Sequence, residues 1–182
     1  MCFIKFIKYF KIRHGILLLV LITTACSDHG IEPKAILKSP PGFSGTIRFI
    51  SEWPDSIKRS FLVIFKNPLK SDSDFTVLNL KFLSKEIPLG VQKHEFSSLD
   101  SAYIPATPGV FSSGSYFYVA VVQQSTENLS LARKDWFVSG VYYTDNDTTV
   151  PGVLIIPDST FVKNININVD FKNPPPQPPG GN

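Results

Sequence analysis

Thiols are almost absent from this sequence. It has two cysteines, Cys2 and Cys26, and both lie near the start of the chain. The chain after Cys26 therefore cannot form an internal disulfide, a thiolate zinc site or a cysteine nucleophile. Its stability has to come from a hydrophobic core, for which 15 phenylalanines, 6 tyrosines and 2 tryptophans are available.

Catalytic residue types are also scarce. Of the 3 histidines, only His94 lies outside the first thirty residues. His94 stands beside Glu95 and could act as a base, but the pattern favours a histidine on a surface strand or loop. The sequence contains no HExxH, GxSxG or GxxxxGK[ST] motif, and the serines of residues 112–115 have no identifiable partner. We therefore predict a protein that is not an enzyme and needs no cofactor.

A basic surface is missing as well. The whole chain has 18 basic and 15 acidic residues, a net charge of +3. Residues 1–25 hold four of the basic residues and none of the acidic ones, which leaves 14 against 15 and a net charge of −1 for the rest. This charge balance therefore gives no reason to predict nucleic-acid binding.

The first 25 residues have the order of a secretory signal. Lysines and an arginine precede an apolar run at residues 16–25, which is too short for a spanning helix because such a helix needs about 20 residues. The Thr-Thr-Ala-Cys sequence ending at Cys26 resembles the lipobox of bacterial lipoprotein precursors. The resemblance implies removal of residues 1–25, a lipidated Cys26 and a bacterial cell-envelope location, with the outer membrane as the expected membrane. An ordinary secretory signal and an uncleaved anchor are the alternatives.

The remainder has the pattern of short strands. Residues 161–171 alternate in polarity, with Phe161 and Ile165 on one face, as in a half-buried strand. Residues 60–66 and 115–124 are apolar on both faces, as in central strands. Further strands are predicted at residues 45–51, 102–106, 136–143 and 152–156, while residues 74–85 fit either a strand or a short helix. The pattern predicts an all-β, antiparallel, Ig-like β-sandwich in a single domain, residues 43–172.

Both flanks of this domain are rich in proline. Residues 26–42 are predicted to be a tether. Residues 173–182 read NPPPQPPGGN, which favours an extended polyproline conformation. Such a tail can be a ligand for a groove, but a plain spacer is favoured, unpacked from Pro174 onward.

One resemblance covers most of residues 43–171. Its elements are the opening Gly45-Thr46-Ile47, SFLVIF at residues 60–65, a Pro-Gly pair at residues 108–109 ahead of SYFYVAVV, and the final FVKNININVDF. In this order they resemble the carboxypeptidase-regulatory-like or transthyretin-like β-sandwich. The resemblance implies a non-catalytic accessory domain without an active site.

The best candidate for a ligand or cation contact is a polar turn. Asp145, Asn146 and Asp147 offer the clustered oxygen atoms that hard cations prefer, although a hydrated turn is favoured because the sequence does not continue as an EF-hand loop. Tyr143 precedes this turn and is expected to be exposed beside it. No metal is predicted.

The aromatic residues of the sequence allow a second kind of site. Trp53, Trp136, Tyr142 and Tyr143 could form a platform that stacks on sugars, but core packing is favoured. Alternation predicts that Trp136 is buried and shares its face with Gly140.

Three functions are compatible with these patterns. The favoured one is a cell-envelope lipoprotein whose β-sandwich is a non-catalytic binding or structural module, with an envelope protein or glycan as its partner and the membrane held through Cys26. The alternative is a surface-fibre or strand-exchanging assembly subunit, because residues 161–171 would suit a donor or edge strand. A small hydrolase is the least favoured.

Overall fold

The structure, a computed structural model, describes residues 39–144 and 147–181, and the regular structure of this part of the chain consists mainly of short strands. The strands are β1 (Gly42–Phe49), β2 (Arg59–Phe65), β3 (Leu80–Ser84), β4 (Lys93–Ser97), β5 (Ala102–Ile104), β6 (Gly114–Tyr116), β7 (Tyr118–Gln124), β8 (Phe137–Val141), β9 (Leu154–Ile156) and β10 (Phe161–Val169). Two 3-10 helices, Asp72–Asp74 and Arg133–Asp135, interrupt them. Within these residues no helix has the length and apolarity needed to cross a bilayer. The predicted all-β fold is confirmed.

Two sheets form the sandwich and a small ribbon completes it. One sheet has the order β10-β1-β4, the other has the order β5-β3-β2-β7-β8, and β6 pairs with β9. Neighbouring strands are antiparallel except for β1 and β10, which run parallel from Gly42 opposite Phe161 to Phe49 opposite Val169. The predicted antiparallel sandwich is therefore confirmed, with one parallel pair between its first and last strands.

The core lies between the two larger sheets and draws apolar side chains from both. Alternation along β10 buries Ile165, Ile167 and Val169 and leaves the asparagines between them exposed. Across the core, Val119 and Val121 of β7 are fully buried, as predicted for a central strand. The alternation of apolar and polar side chains, with a period of two residues, thus decides which face of each strand meets the opposite sheet.

The alternation in β10 is interrupted once. The register with β1 shifts between Phe43 and Gly45, and Asn164 has a positive φ of 65°. This bulge adds one residue to β10. As a result Val162, not Phe161, packs against the core together with Ile165, which corrects the predicted face.

The outer face of the five-stranded sheet carries a second apolar cluster. It contains Phe61, Val63, Phe65, Leu80, Leu83, Tyr118, Ala120, Val122, Trp136, Val138 and Val141. Leu69, Phe75 and Leu129, which lie in loops, pack against this cluster and help to cover it. This arrangement explains why β2 and β7 are apolar on both faces.

Two segments, one predicted as a strand and one left open between strand and helix, are divided in the structure. Residues 74–85 open with the end of a 3-10 helix and a turn, and β3 begins only at Leu80. Asn79 stabilises this turn because its Nδ2 donates to the Asp74 carbonyl at 2.9 Å and its Oδ1 accepts from the Asn67 N–H at 2.7 Å. Residues 115–124 are broken at Phe117, so that β6 and β7 belong to different sheets.

The proline-rich tail is packed, and the prediction of an unpacked tail from Pro174 onward is wrong. Pro178 is buried, and the side chain of Gln177 is hydrogen-bonded to the main chain of Val138. The physical reason is the edge position of β8, whose main-chain groups lack a further strand and need partners.

Candidate functional site

Three aromatic rings meet at one end of the sandwich. Phe49 ends β1, Trp53 follows it in the next loop, and Phe171 follows β10. The centroids of Phe49 and Trp53 are 4.4 Å apart, and those of Trp53 and Phe171 are 5.0 Å apart. Because β1 and β10 are parallel and in register, the residues that follow both strands reach the same end of the sheet.

Trp53 is held in one orientation at this end. Its Nε1 donates a hydrogen bond of 2.9 Å to the Val91 carbonyl, which lies in the loop before β4. The indole is only half-buried, so part of the ring stays open to solvent. A fixed and partly exposed tryptophan is a suitable surface for a ligand with an apolar face.

A groove begins at this tryptophan, and we call it the Trp53 groove. It has a volume of about 740 Å³ and is lined by residues 48–53 and 90–93. Ile50 is 66% exposed within it. The wall also carries charge, since Arg48 of β1 and Lys93 of β4 are opposite each other in the register and both are exposed. Glu95 compensates Lys93 at 2.6 Å.

His94 and Glu95 lie on opposite faces of β4. Glu95 is exposed and pairs with Lys93, whereas His94 is half-buried, like an inward-facing residue beside the buried Phe96. Burial lowers the pKa of His94, and the nearby charge of Asp100 opposes that shift. Strand alternation therefore separates the two side chains that a histidine–carboxylate pair would need to bring together.

Among the serines of residues 112–115, the hydroxyl of Ser113 is held by a hydrogen bond. Ser113 Oγ donates to the carboxylate of Asp158, and the Ser112 carbonyl accepts from the Tyr116 hydroxyl at 2.7 Å. In the described ranges, no group of three or more histidine, cysteine, aspartate or glutamate side chains is placed to hold a metal ion.

The predicted polar turn is only partly visible. Asp145 and Asn146 lie outside the described residues. Asp147 is exposed, and its Oδ1 accepts hydrogen bonds from the hydroxyl and the N–H of Thr149, which lower its pKa. Tyr143 is half-buried against the outer apolar cluster, and burial raises its pKa. The proposed ligand or cation contact at this turn stays a prediction.

Trp136 is buried, as predicted. It is 2% exposed, its ring lies 5.4 Å from that of Phe75, and its Nε1 donates to the Ser130 carbonyl at 2.5 Å. Trp136 and Trp53 belong to different apolar clusters, so they do not share a platform.

The predicted face of Gly140 is wrong. β8 has a register shift against β7 between Gly140 and Val138, which turns the glycine away from Trp136. A Cβ at Gly140 would lie 2.8 Å from the Asn168 carbonyl oxygen of β10. The glycine thus permits close approach of the two sheets at their edge.

The sequence named Trp53 as one member of a possible sugar platform, but the groove beside it was not predicted. Its two lining segments are far apart in sequence, and the antiparallel pairing of β1 with β4 brings them together. Comparison of the chain with family models, curated proteins and solved structures finds no match. The function therefore has to be argued from the residues themselves.

Proposed function

We propose that the protein is a lipid-anchored, non-catalytic binding module of the bacterial cell envelope, with the Trp53 groove as its binding surface. The observation that carries this proposal is the partly exposed indole of Trp53, fixed by its hydrogen bond to the Val91 carbonyl at one end of a groove. Because the Trp53 side chain is already fixed before a ligand binds, it loses little conformational freedom on binding.

The chemistry of the groove favours a glycan as the ligand. Trp53 and Ile50 offer apolar surface, and the exposed side chains of Arg48, Glu52 and Gln92 offer hydrogen-bond donors and acceptors around it. A sugar ring has both an apolar C–H face and a rim of hydroxyl groups. A site that combines a few polar groups with apolar surface matches that combination.

The anchor in this proposal is Cys26, which lies outside the described residues. Its support is the basic segment, the apolar run and the lipobox-like sequence that precede it. We expect Cys26→Ala to abolish acyl labelling and to release the protein from the membrane fraction, because the proposal places all the acyl chains of the anchor on Cys26. A variant that sediments with membranes as firmly as the wild type would show that the residues before Cys26 are a retained anchor.

The groove can be tested with variants of exposed residues, which leave the core intact. We expect Arg48→Ala and Ile50→Ser to weaken binding to immobilised envelope glycans, namely peptidoglycan fragments and lipopolysaccharide O-chains, by about tenfold each. Their thermal midpoints should match that of the wild type. Leu78→Ser is the matched control, because Leu78 is 85% exposed and lies outside the groove. Equal binding by all three variants would exclude the groove as the glycan site.

The assembly-subunit alternative has less support. β10, the strand expected to act as a donor, already pairs with β1 along its length and buries Ile165, Ile167 and Val169 in the core of its own chain. Donating it to a neighbour would expose that core. Size-exclusion chromatography of the purified protein separates the two hypotheses, since a fibre subunit forms a ladder of oligomers.

A further inference from the structure

The C-terminal tail, residues 173–181, lies along the open edge of β8. β8 is the last strand of the five-stranded sheet, so the main chain of Val138 faces no further strand of that sheet. The side-chain amide of Gln177 fills that place. The Val138 N–H donates to Gln177 Oε1 at 2.8 Å, and Gln177 Nε2 donates to the Val138 carbonyl at 2.8 Å. One side chain makes the two hydrogen bonds that a neighbouring strand would make.

Arg133 binds the next two residues of the tail. Its Nη2 donates to the Pro178 carbonyl at 2.6 Å, and its Nε donates to the Pro179 carbonyl at 3.0 Å. The remaining nitrogen, Nη1, donates to the Trp136 carbonyl at 2.5 Å, which fixes the guanidinium against the sheet. A proline-rich segment in extended conformation has no internal hydrogen bonds, so its carbonyls are available to such a rigid set of donors.

Burial and close packing complete the binding of the tail. Pro178 is buried, and Arg133 itself lies over the ring of Phe75, with Cζ 5.5 Å from the ring centroid. Beyond it the chain turns at Gly180, which has a φ of 76°, and a Cβ there would lie 2.6 Å from Asp72 Oδ1. The contacts therefore favour glutamine at position 177, a buried proline at 178 and glycine at 180.

We propose that this surface, formed by Asp72, Phe75, Arg133, Trp136 and Val138 and here called the tail groove, is a binding site for extended Pro-Pro-Gln-Pro-Pro-Gly segments. In the structure it holds the tail of its own chain, and the new occupant that we infer is the tail of a second copy. The occupant is the one that the structure shows, since every contact described above is made with this sequence. A second copy presents the same sequence and can replace each of these contacts by an identical one.

The connection between β10 and the tail permits this exchange. Lys172, Asn173 and Pro174 are exposed, so the tail can leave its groove without opening the core between the sheets. The local hydrogen bonds of this connection, from Lys172 N and Asn173 Nδ2 to the carboxylate of Asp170, stay within it and do not involve the groove. Exchange of tails between two copies gives a closed, reciprocal dimer.

The first experiment tests the groove with a labelled peptide, NPPPQPPGGN, added to the full chain. We expect the Gln177→Ala protein to bind this peptide about tenfold more tightly than the wild type, because the weakened tail competes less from its high effective concentration. The matched peptide NPPPAPPGGN should bind about tenfold more weakly to the same variant, since it cannot pair with Val138. No binding of either peptide, or equal binding of both, would overturn the proposal.

The second experiment tests the source of the tail by complementation. Gln177→Ala weakens the tail and keeps the groove, whereas Arg133→Lys weakens the groove and keeps the tail. Each variant alone should be largely monomeric, and a mixture should form heterodimers, detected by size exclusion with one partner labelled. Thermal melts check that both variants are folded. Peptide binding without heterodimers would overturn the second copy as the source and leave the groove to proline-rich segments of other proteins.

Discussion

Replacing Trp136 by alanine tests the outer apolar cluster most directly. The side chain is 2% exposed and its ring lies 5.4 Å from Phe75 and 6.2 Å from Phe61. Removing such a residue usually lowers the free energy of unfolding by about 3–5 kcal/mol, because burial is lost and a cavity is left. The lost hydrogen bond to the Ser130 carbonyl adds little, since that oxygen also accepts from Gln124 Nε2 at 2.6 Å and stays satisfied.

Urea unfolding followed by circular dichroism measures this change. A loss of that size is a large part of the total stability of a domain, about 5–15 kcal/mol, so Trp136→Phe should be measured beside it as a milder variant that retains an aromatic ring. Leu78→Ala is the control, because a side chain that is 85% exposed should change the free energy by no more than about 0.5 kcal/mol. A Trp136→Ala protein as stable as this control would refute the assignment of Trp136 to the core.

Two further predictions concern the three-stranded sheet. Gly45→Ala should destabilise the domain by about 2 kcal/mol or more in urea unfolding, because a Cβ there would lie 1.8 Å from the Ile165 carbonyl oxygen; Ser44→Ala, on the same strand, should have a much smaller effect. Burial lowers the pKa of His94 below 6.5, so the folded state takes up its proton less readily than the unfolded state. The contribution of His94 to the free energy of unfolding should therefore be fully present above about pH 6.5 and be lost as the pH decreases below that value. His94→Gln should remove this part of the dependence of the free energy on pH. An unchanged dependence in this variant contradicts the prediction.

The polarity pattern within a single strand could be predicted from the sequence, whereas the pairing between strands could not. The period of two along residues 161–171 predicted the inward face of β10 except at its bulge, where a positive φ at Asn164 shifts the pattern. β4 was missed because it contributes one buried phenylalanine, Phe96, among polar residues. Such a strand is defined by its neighbour β1 and has little periodicity of its own.

The candidate sites depend on contacts between distant segments. Local alternation predicted the burial of Trp136. It did not predict the register shift of β8 against β7, which places Gly140 on the opposite face of the strand. The Trp53 groove requires knowledge that β1 pairs with β4, and the tail groove requires knowledge that β8 is an edge strand. Proline-rich composition predicted an extended tail, but composition has no information about an acceptor surface elsewhere in the chain.

The parallel pairing of the first and last strands has a mechanical consequence. A pulling force applied before Gly42 and after Val169 acts in opposite directions on β1 and β10, along the strands. The hydrogen bonds between the strands then bear the load together in shear, whereas an antiparallel terminal pair pulled from one end would open one bond at a time. A domain tethered at its N-terminal side and pulled from its C-terminal side would resist unfolding through this single pair of strands.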